Sequence, residues 1–222
     1  MKGLNKNTEK IFEQITKLES INGYVLIGGT ALSLQINHRL SEDLDFCKWK
    51  KSKNEKLYVD WNNIEKELNT IVTVNQKDII DSNQCNFLVD GVKLSFYANN
   101  TSKQPKDLQV IHLKNNLYVA DIKSIGIMKI EVMLRRSTFR DYYDLYSILK
   151  EGISFSELID GALNYSGHNL KTKDVLAMLT NGSHFVTDTS FQTLSPKYDI
   201  NIYGIAEYIG QEIVKYNEIK KK

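Results

Sequence analysis

Two acids one residue apart, Asp43 and Asp45, follow 14 residues after the glycine pair Gly28-Gly29. Side chains at i and i+2 of a strand share one face, about 7 Å apart along the backbone. Two carboxylates so placed repel one another unless a cation lies between them. Mg²⁺ carrying nucleotide phosphates is a hard, oxygen-seeking ion that meets this need, and Mn²⁺ is its alternative. Ahead of the glycines, Tyr24-Val25-Leu26-Ile27 reads as a buried strand. Glycines between a strand and a helix let backbone amides approach a phosphate oxygen, and the helix N-terminus favours its charge. Thr30 adds a hydroxyl or a helix cap. Arg39 and Ser41 could hold phosphate through the guanidinium fork and the hydroxyl, whereas His38 reads as a helix-end residue. Singly, these are a tight turn and a half-exposed strand; jointly, they point to nucleotidyl transfer.

A second group lies further along. Lys129 sits beside Met128 and Ile130 at the margin of an apolar helical stripe, where a lysine can snorkel or neutralise phosphate charge. Arg135 and Arg136 follow and could do similar work or grip RNA. In Arg140-Asp141-Tyr142-Tyr143-Asp144-Leu145, Asp141 and Asp144 share a helix face. Asp141 has a local explanation, since Thr138 three residues earlier makes it resemble a capping box. Asp144 has none. It is therefore the stronger candidate, fit to fix Lys129 or Arg140 electrostatically.

The elements that must position these groups are legible in outline. Ile11, Phe12, Ile15 and Leu18 predict a helix over 8–18; Thr30–Ile36 predicts a short helix. Leu44 and Phe46 alternate with Asp43 and Asp45, giving a strand with one buried and one polar face. Five lysines between 48 and 56 mark a solvated loop, and Trp61, Ile64 and Leu68 a helix over 58–70. Asp90-Gly91 between two β-rich runs predicts a hairpin over 87–97, with short strands at 108–113 and 117–119. From Asp121 the pattern becomes helical, with helices expected over 121–136, 139–150, 154–165, 171–180 and 201–217. The polar stretch 181–200 has no assigned structure and reads as a loop over a cleft or a mobile segment. The fold class is thus α+β: a mixed sheet flanked by helices, 1–120, followed by a helical domain, 121–222, expected to bring Lys129 and Asp144 to the cleft.

Bulk properties exclude several classes. With 41% apolar and 25% charged residues the chain is ordinary for a globular protein, and a net charge of +2 does not announce a nucleic-acid binder. No apolar run reaches membrane-spanning length, and Met1–Lys6 lacks the apolar stretch of a secretory signal. Cys47 and Cys85 are too few for a disulfide framework or zinc site and read as reduced core residues. A cytoplasmic protein with no membrane partner is expected.

Gly28-Gly29-Thr30-Ala31-Leu32, then His38–Phe46, then Lys129 ahead of Arg140–Leu145 resemble, in order and spacing, the AbiEii/AbiGii toxin family of nucleotidyltransferases. The resemblance covers 20–150. It implies a DNA-polymerase-β-like nucleotidyltransferase fold, an NTP substrate used with Mg²⁺, and the toxin half of a toxin–antitoxin pair. It further implies Asp43 and Asp45 as metal ligands, Gly28, Gly29 and Ser41 as phosphate contacts, and Lys129 and Asp144 as later motif residues. The expected acceptor is RNA, tRNA among the candidates, or a protein hydroxyl, with a cognate antitoxin as partner. One departure stands out. This superfamily commonly carries a third carboxylate on the strand after the central hairpin, where Val92-Lys93-Leu94-Ser95-Phe96 presents Ser95. Either the register differs, or two carboxylates suffice, or turnover is weakened. The rival readings are therefore a nucleotide- or RNA-binding member without full activity, and an antitoxin-interacting protein.

Overall fold

The computed structural model describes residues 2–52, 54–100, 108–166 and 170–221. Lys53, one of the five loop lysines, lies outside them. The chain divides into two compact units, one built from Met1–Gln104 and Leu108–Asp121, the other centred on Ile122–Lys222.

Among the described residues, the first unit holds seven strands in one sheet, ordered β3-β4-β5-β2-β1-β7-β6. In chain order these elements are α1 (Lys6–Ile15), β1 (Val25–Ile27), α2 (Gly28–Ile36), β2 (Leu44–Trp49) and α3 (Trp61–Leu68). They are followed by β3 (Val74–Asp81), β4 (Gln84–Val89), β5 (Val92–Asn99), β6 (Val110–Lys114) and β7 (Leu117–Ala120). The sheet is mixed: β2 runs antiparallel to β1 but parallel to β5, while β1 is parallel to β7. Alternation along the central strands explains the core. Leu26, Leu44, Phe46, Leu94, Phe96 and Phe87 are all buried, with Phe96 stacked on Phe46 at 5.0 Å and met edge-on by Tyr24 and Phe87. Each burial of such a side chain contributes about 1.5–3 kcal/mol. Helix α1 buries Ile11, Phe12 and Ile15, and α3 buries Ile64 and Leu68. The β4–β5 turn takes positive φ at both Asp90 (48°) and Gly91 (78°), the geometry that the Asp-Gly pair favours.

Several elements differ from expectation. Helix α1 starts at Lys6, because Asn5 caps it by accepting from the Asn7 amide, and it ends before Leu18. Helix α2 starts at Gly28, so both glycines belong to its first turn. Helix α3 is shorter than 58–70. Strand β3, absent from the sequence reading, is a sheet edge; both its faces are largely exposed, so no alternation marks it. Both cysteines are free and buried, and burial pushes the Cys85 thiol up to about 11.

The second unit is helical: α4 (Ile122–Met133), α5 (Phe139–Lys150), α6 (Phe155–Tyr165), α7 (Thr172–Thr180) and α8 (Ile202–Lys220). Helix α5 is buried on nearly every side, Tyr142, Tyr143, Leu145 and Ile148 being fully covered. The segment 181–200 turns twice in short 3-10 stretches and packs onto α5, with Phe185 stacked on Tyr142 at 3.9 Å and Phe191 edge-on to Tyr143. Among the described residues no helix is long and apolar enough to cross a membrane.

Candidate functional site

In the first unit, β1 ends at Ile27 and passes straight into α2. Ile27 carries no side chain able to cap the helix, so the leading amides of α2 receive no cap from it. Gly28 has φ +74°, a conformation that costs any other residue about 1–2 kcal/mol. A Cβ there would stand 3.2 Å from Asp45 Oδ2, which places the carboxylate directly against the glycine backbone. A Cβ on Gly29 would run into the Arg39 guanidinium and stand 3.4 Å from Ser41 Oγ. Conformation therefore favours glycine at Gly28, and three polar side chains crowd the pair.

The segment that delivers the acids is pinned at four points. Asn5 donates its amide to the Ser41 carbonyl and the Ser41 amide donates to Gly3, both at 2.9 Å. The Thr8 hydroxyl donates to the Glu42 carbonyl at 2.6 Å. The Thr30 hydroxyl donates to the Asp43 carbonyl and is hydrogen-bonded at 2.8 Å to the Ser41 hydroxyl. Thr30 and Ser41 thus act on the backbone that presents Asp43. Arg39 is buried and donates to the Leu40 carbonyl at 3.0 Å, and His38 is fully buried beyond the end of α2. Asp43 is exposed just before β2, and Asp45 is half-buried on it.

Across the sheet, Asp45 is in register with Ile27 on β1 and Ser95 on β5, and Ser95 with Asn86 on β4. Strand β5 carries no acid, so a shifted register does not supply the missing carboxylate. Ser95 is fully buried, and neither its Oγ nor Asn86 Oδ1 has a hydrogen-bond partner. Each such atom costs about 1–3 kcal/mol. Asn86 was not a candidate from the sequence, where it reads as one more polar residue of a hairpin strand; only the cross-strand register brings it to Ser95.

Among the described residues no three His, Cys, Asp or Glu side chains cluster as a metal site. Asp43 and Asp45, two positions apart, offer at most two carboxylates as donors. That set suits Mg²⁺, which takes one or two protein carboxylates and completes its shell with phosphates and water.

In the second unit, Lys129 is buried between two carboxylates, donating to Asp141 Oδ1 and Asp144 Oδ2 at 2.6 Å each. Asp141 also accepts from Arg136 at 2.8 and 3.1 Å and from the Thr138 hydroxyl at 2.6 Å. Burial by itself would raise the Asp141 carboxyl, but Lys129 and Arg136 outweigh it and hold the group below its ordinary value. Thr138 does cap α5 through the Asp141 amide, as the spacing predicts, yet Asp141 is equally a partner of Lys129. Arg140 donates to Asp188 at 2.6 Å, a partner 48 positions away that no local pattern reveals. Arg135, in the turn just past α4, pairs with Glu131 of that helix.

A seven-stranded mixed sheet with its helix launched from a glycine turn beside two acids defines a nucleotidyltransferase fold. The chain belongs to the AbiEii nucleotidyl transferase toxin family of type IV toxin–antitoxin systems, whose family model matches residues 11–189. It is also similar to an uncharacterized protein of Aquifex aeolicus (strain VF5), 29% identical over 164 residues, covering 71% of this chain and 73% of that protein.

Proposed function

We propose that the protein is a Mg²⁺-dependent nucleotidyltransferase that moves NMP from an NTP to a hydroxyl of RNA, tRNA among the candidates, or of a protein, and whose toxicity a cognate antitoxin restrains. The observation that carries this reading is Asp45 lying against the left-handed Gly28 at the start of α2, with Asp43 two positions earlier, just before β2. In this reading Asp43 and Asp45 hold the metal, which supplies charge neutralisation to the triphosphate. The amides of Gly28 and Gly29 face phosphate oxygens, and Arg39 adds positive charge behind Gly29. Thr30 and Ser41 keep the Asp43 backbone in place. Lys129 and Asp144 enter as the residues the family resemblance implies; within the second unit they form a buried ion pair with Asp141.

The test is incubation with α-labelled NTPs, Mg²⁺ or Mn²⁺, total tRNA and cell lysate. The reading expects label on a macromolecule, dependent on the metal and abolished in Asp45→Ala. Label transfer that persists in Asp45→Ala would sink the metal assignment. Ser95 supports a second reading, a nucleotide-binding member with weakened turnover, because a serine cannot take the proton that a third carboxylate would. Tight, metal-dependent NTP binding without transfer would favour it, and absence of NTP binding would leave the antitoxin-interacting protein.

A further inference from the structure

Lys48 lies on β2 outside the candidate site, on the face that carries Phe46 and opposite to Asp45: Tyr24 meets both the Phe96 ring and the Lys48 ammonium. Its Nζ stands 4.6 Å from the centre of the Tyr24 ring and 5.9 Å from that of Tyr58. Among the described residues Lys48 has no hydrogen-bond acceptor and no ion pair; Asp60 and Glu55 act on it through space alone. Burial holds the amine below its ordinary value against those two acids. Two aromatic rings thus cradle a half-buried ammonium whose three N–H donors are unspent. We infer that Lys48, Tyr58 and the lysines that follow β2 form a ledge that binds single-stranded RNA, and that this RNA is the acceptor. The last step rests on the nucleotidyltransferase reading.

Tyr58 is 63% exposed, yet the backbone on both sides of it is fixed. The Leu57 amide donates to Asn100 Oδ1 at 2.9 Å, and the Leu57 carbonyl accepts from Asn100 Nδ2 at 2.8 Å. The Val59 amide donates to the Ser82 carbonyl at 2.9 Å, and the Val59 side chain is buried. An aromatic face held open on a pinned segment loses little freedom when a base stacks on it, and every base has a face to offer. The charge around it has the sign of a polyanion site. Lys50, Lys51 and Lys56 join Lys48 in the same stretch, and the one acid among them, Glu55, turns its carboxylate back onto the Lys51 amide. Lysines interleaved with an open ring suit a chain of phosphates that carries unstacked bases. An acidic protein segment would leave the ring unused, and a duplex keeps its bases stacked on one another. Asp45 and Lys48 are three positions apart on β2, about 10 Å along the strand and on opposite faces. The ledge therefore holds the body of the RNA and leaves NTP binding to the other face.

The test is fluorescence anisotropy of the full chain, without NTP, on labelled oligouridylate and on its duplex with oligoadenylate, over a series of salt concentrations. Single strands are expected to bind more tightly than the duplex, with log K falling against log salt at a slope of about −3, as four lysine–phosphate contacts require. Replacing Lys50, Lys51 and Lys56 together by serine should flatten that slope by about 2. Tyr58→Ala should weaken binding about tenfold at unchanged slope, and Tyr58→Phe should restore it, because stacking needs the ring and not the hydroxyl. Equal affinity for the duplex, a Tyr58→Ala variant that binds like wild type, or an unchanged slope in the triple lysine variant overturns the ledge. A second arm measures transfer of labelled NMP to RNA. There Tyr58→Ala should raise the KM for RNA about tenfold while kcat and the KM for NTP stay at wild-type values. An unchanged KM for RNA overturns the acceptor assignment. Because RNA affinity is read without NTP, a chain that binds no NTP removes the nucleotidyltransferase reading and the acceptor role, while the anisotropy still decides the ledge. Tyr58, Lys51 and Lys56 are exposed, and thermal melts of the variants separate these outcomes from unfolding.

Discussion

The two units each carry a pair of acids at short spacing, and the two pairs stand in opposite surroundings. Asp43 is exposed just before β2, and Asp45 is half-buried on it with its carboxylate against a glycine turn. Asp141 and Asp144 are buried on a helix and close around the Lys129 ammonium, with Arg136 and Thr138 completing Asp141. Carboxylate spacing is the same in kind in both pairs; burial and built-in countercharge tell them apart. A charge taken out of water needs its partner supplied by the protein, whereas one left at the surface of a sheet can wait for a ligand.

That contrast predicts separable effects. The largest is expected from Lys129→Met, which leaves two buried carboxylates facing one another. Loss of a buried partner of this kind costs about 3–5 kcal/mol, read as a lower denaturant midpoint. A variant as stable as wild type would mean that α4 and α5 do not depend on this ion pair. Next comes Gly28→Ala, where positive φ adds about 1–2 kcal/mol of strain. Because the new Cβ also crowds Asp45 Oδ2, metal-dependent NTP affinity should fall about tenfold, more than a generic loss of stability explains. Thr138→Ala should cost about 1 kcal/mol, the usual worth of a helix cap, and leave NTP affinity alone. The smallest effect is acid sensitivity. Since the folded-state value of Asp141 lies below the unfolded one, its contribution is complete above an unfolded carboxyl pKa of about 3.9. It disappears as pH falls through the folded value. Wild type should therefore lose stability relative to Asp141→Asn below about pH 4, and parallel pH profiles for the two would remove this role.

How much of this was legible in the chain follows from range. The Asp90-Gly91 hairpin, helix α5 over 139–150 and the alternating strand around Phe46 are local patterns, and they appear where the spacing predicts. The gathering of Gly28, Gly29, Arg39, Ser41 and Asp45 at one junction follows from a strand, a helix turn and a short return segment. Strand β3 left no signal because an edge with two exposed faces has no apolar period. The packing of 181–200 on α5 rests on Phe185 and Phe191 finding Tyr142 and Tyr143, 43 and 48 positions away, a separation that no local rule reads. Asn86 and Ser95 differ again. Each was visible as a residue, but their shared lack of partners exists only once three strands are in register.

The most direct test of the contrast is calorimetric titration of NTP in the presence and absence of Mg²⁺, comparing wild type with Asp43→Asn and Asp45→Asn. The account predicts Mg²⁺-dependent NTP binding in the wild type and its loss in both variants, with unfolding midpoints unchanged. Mg²⁺-dependent binding that survives both substitutions would contradict it.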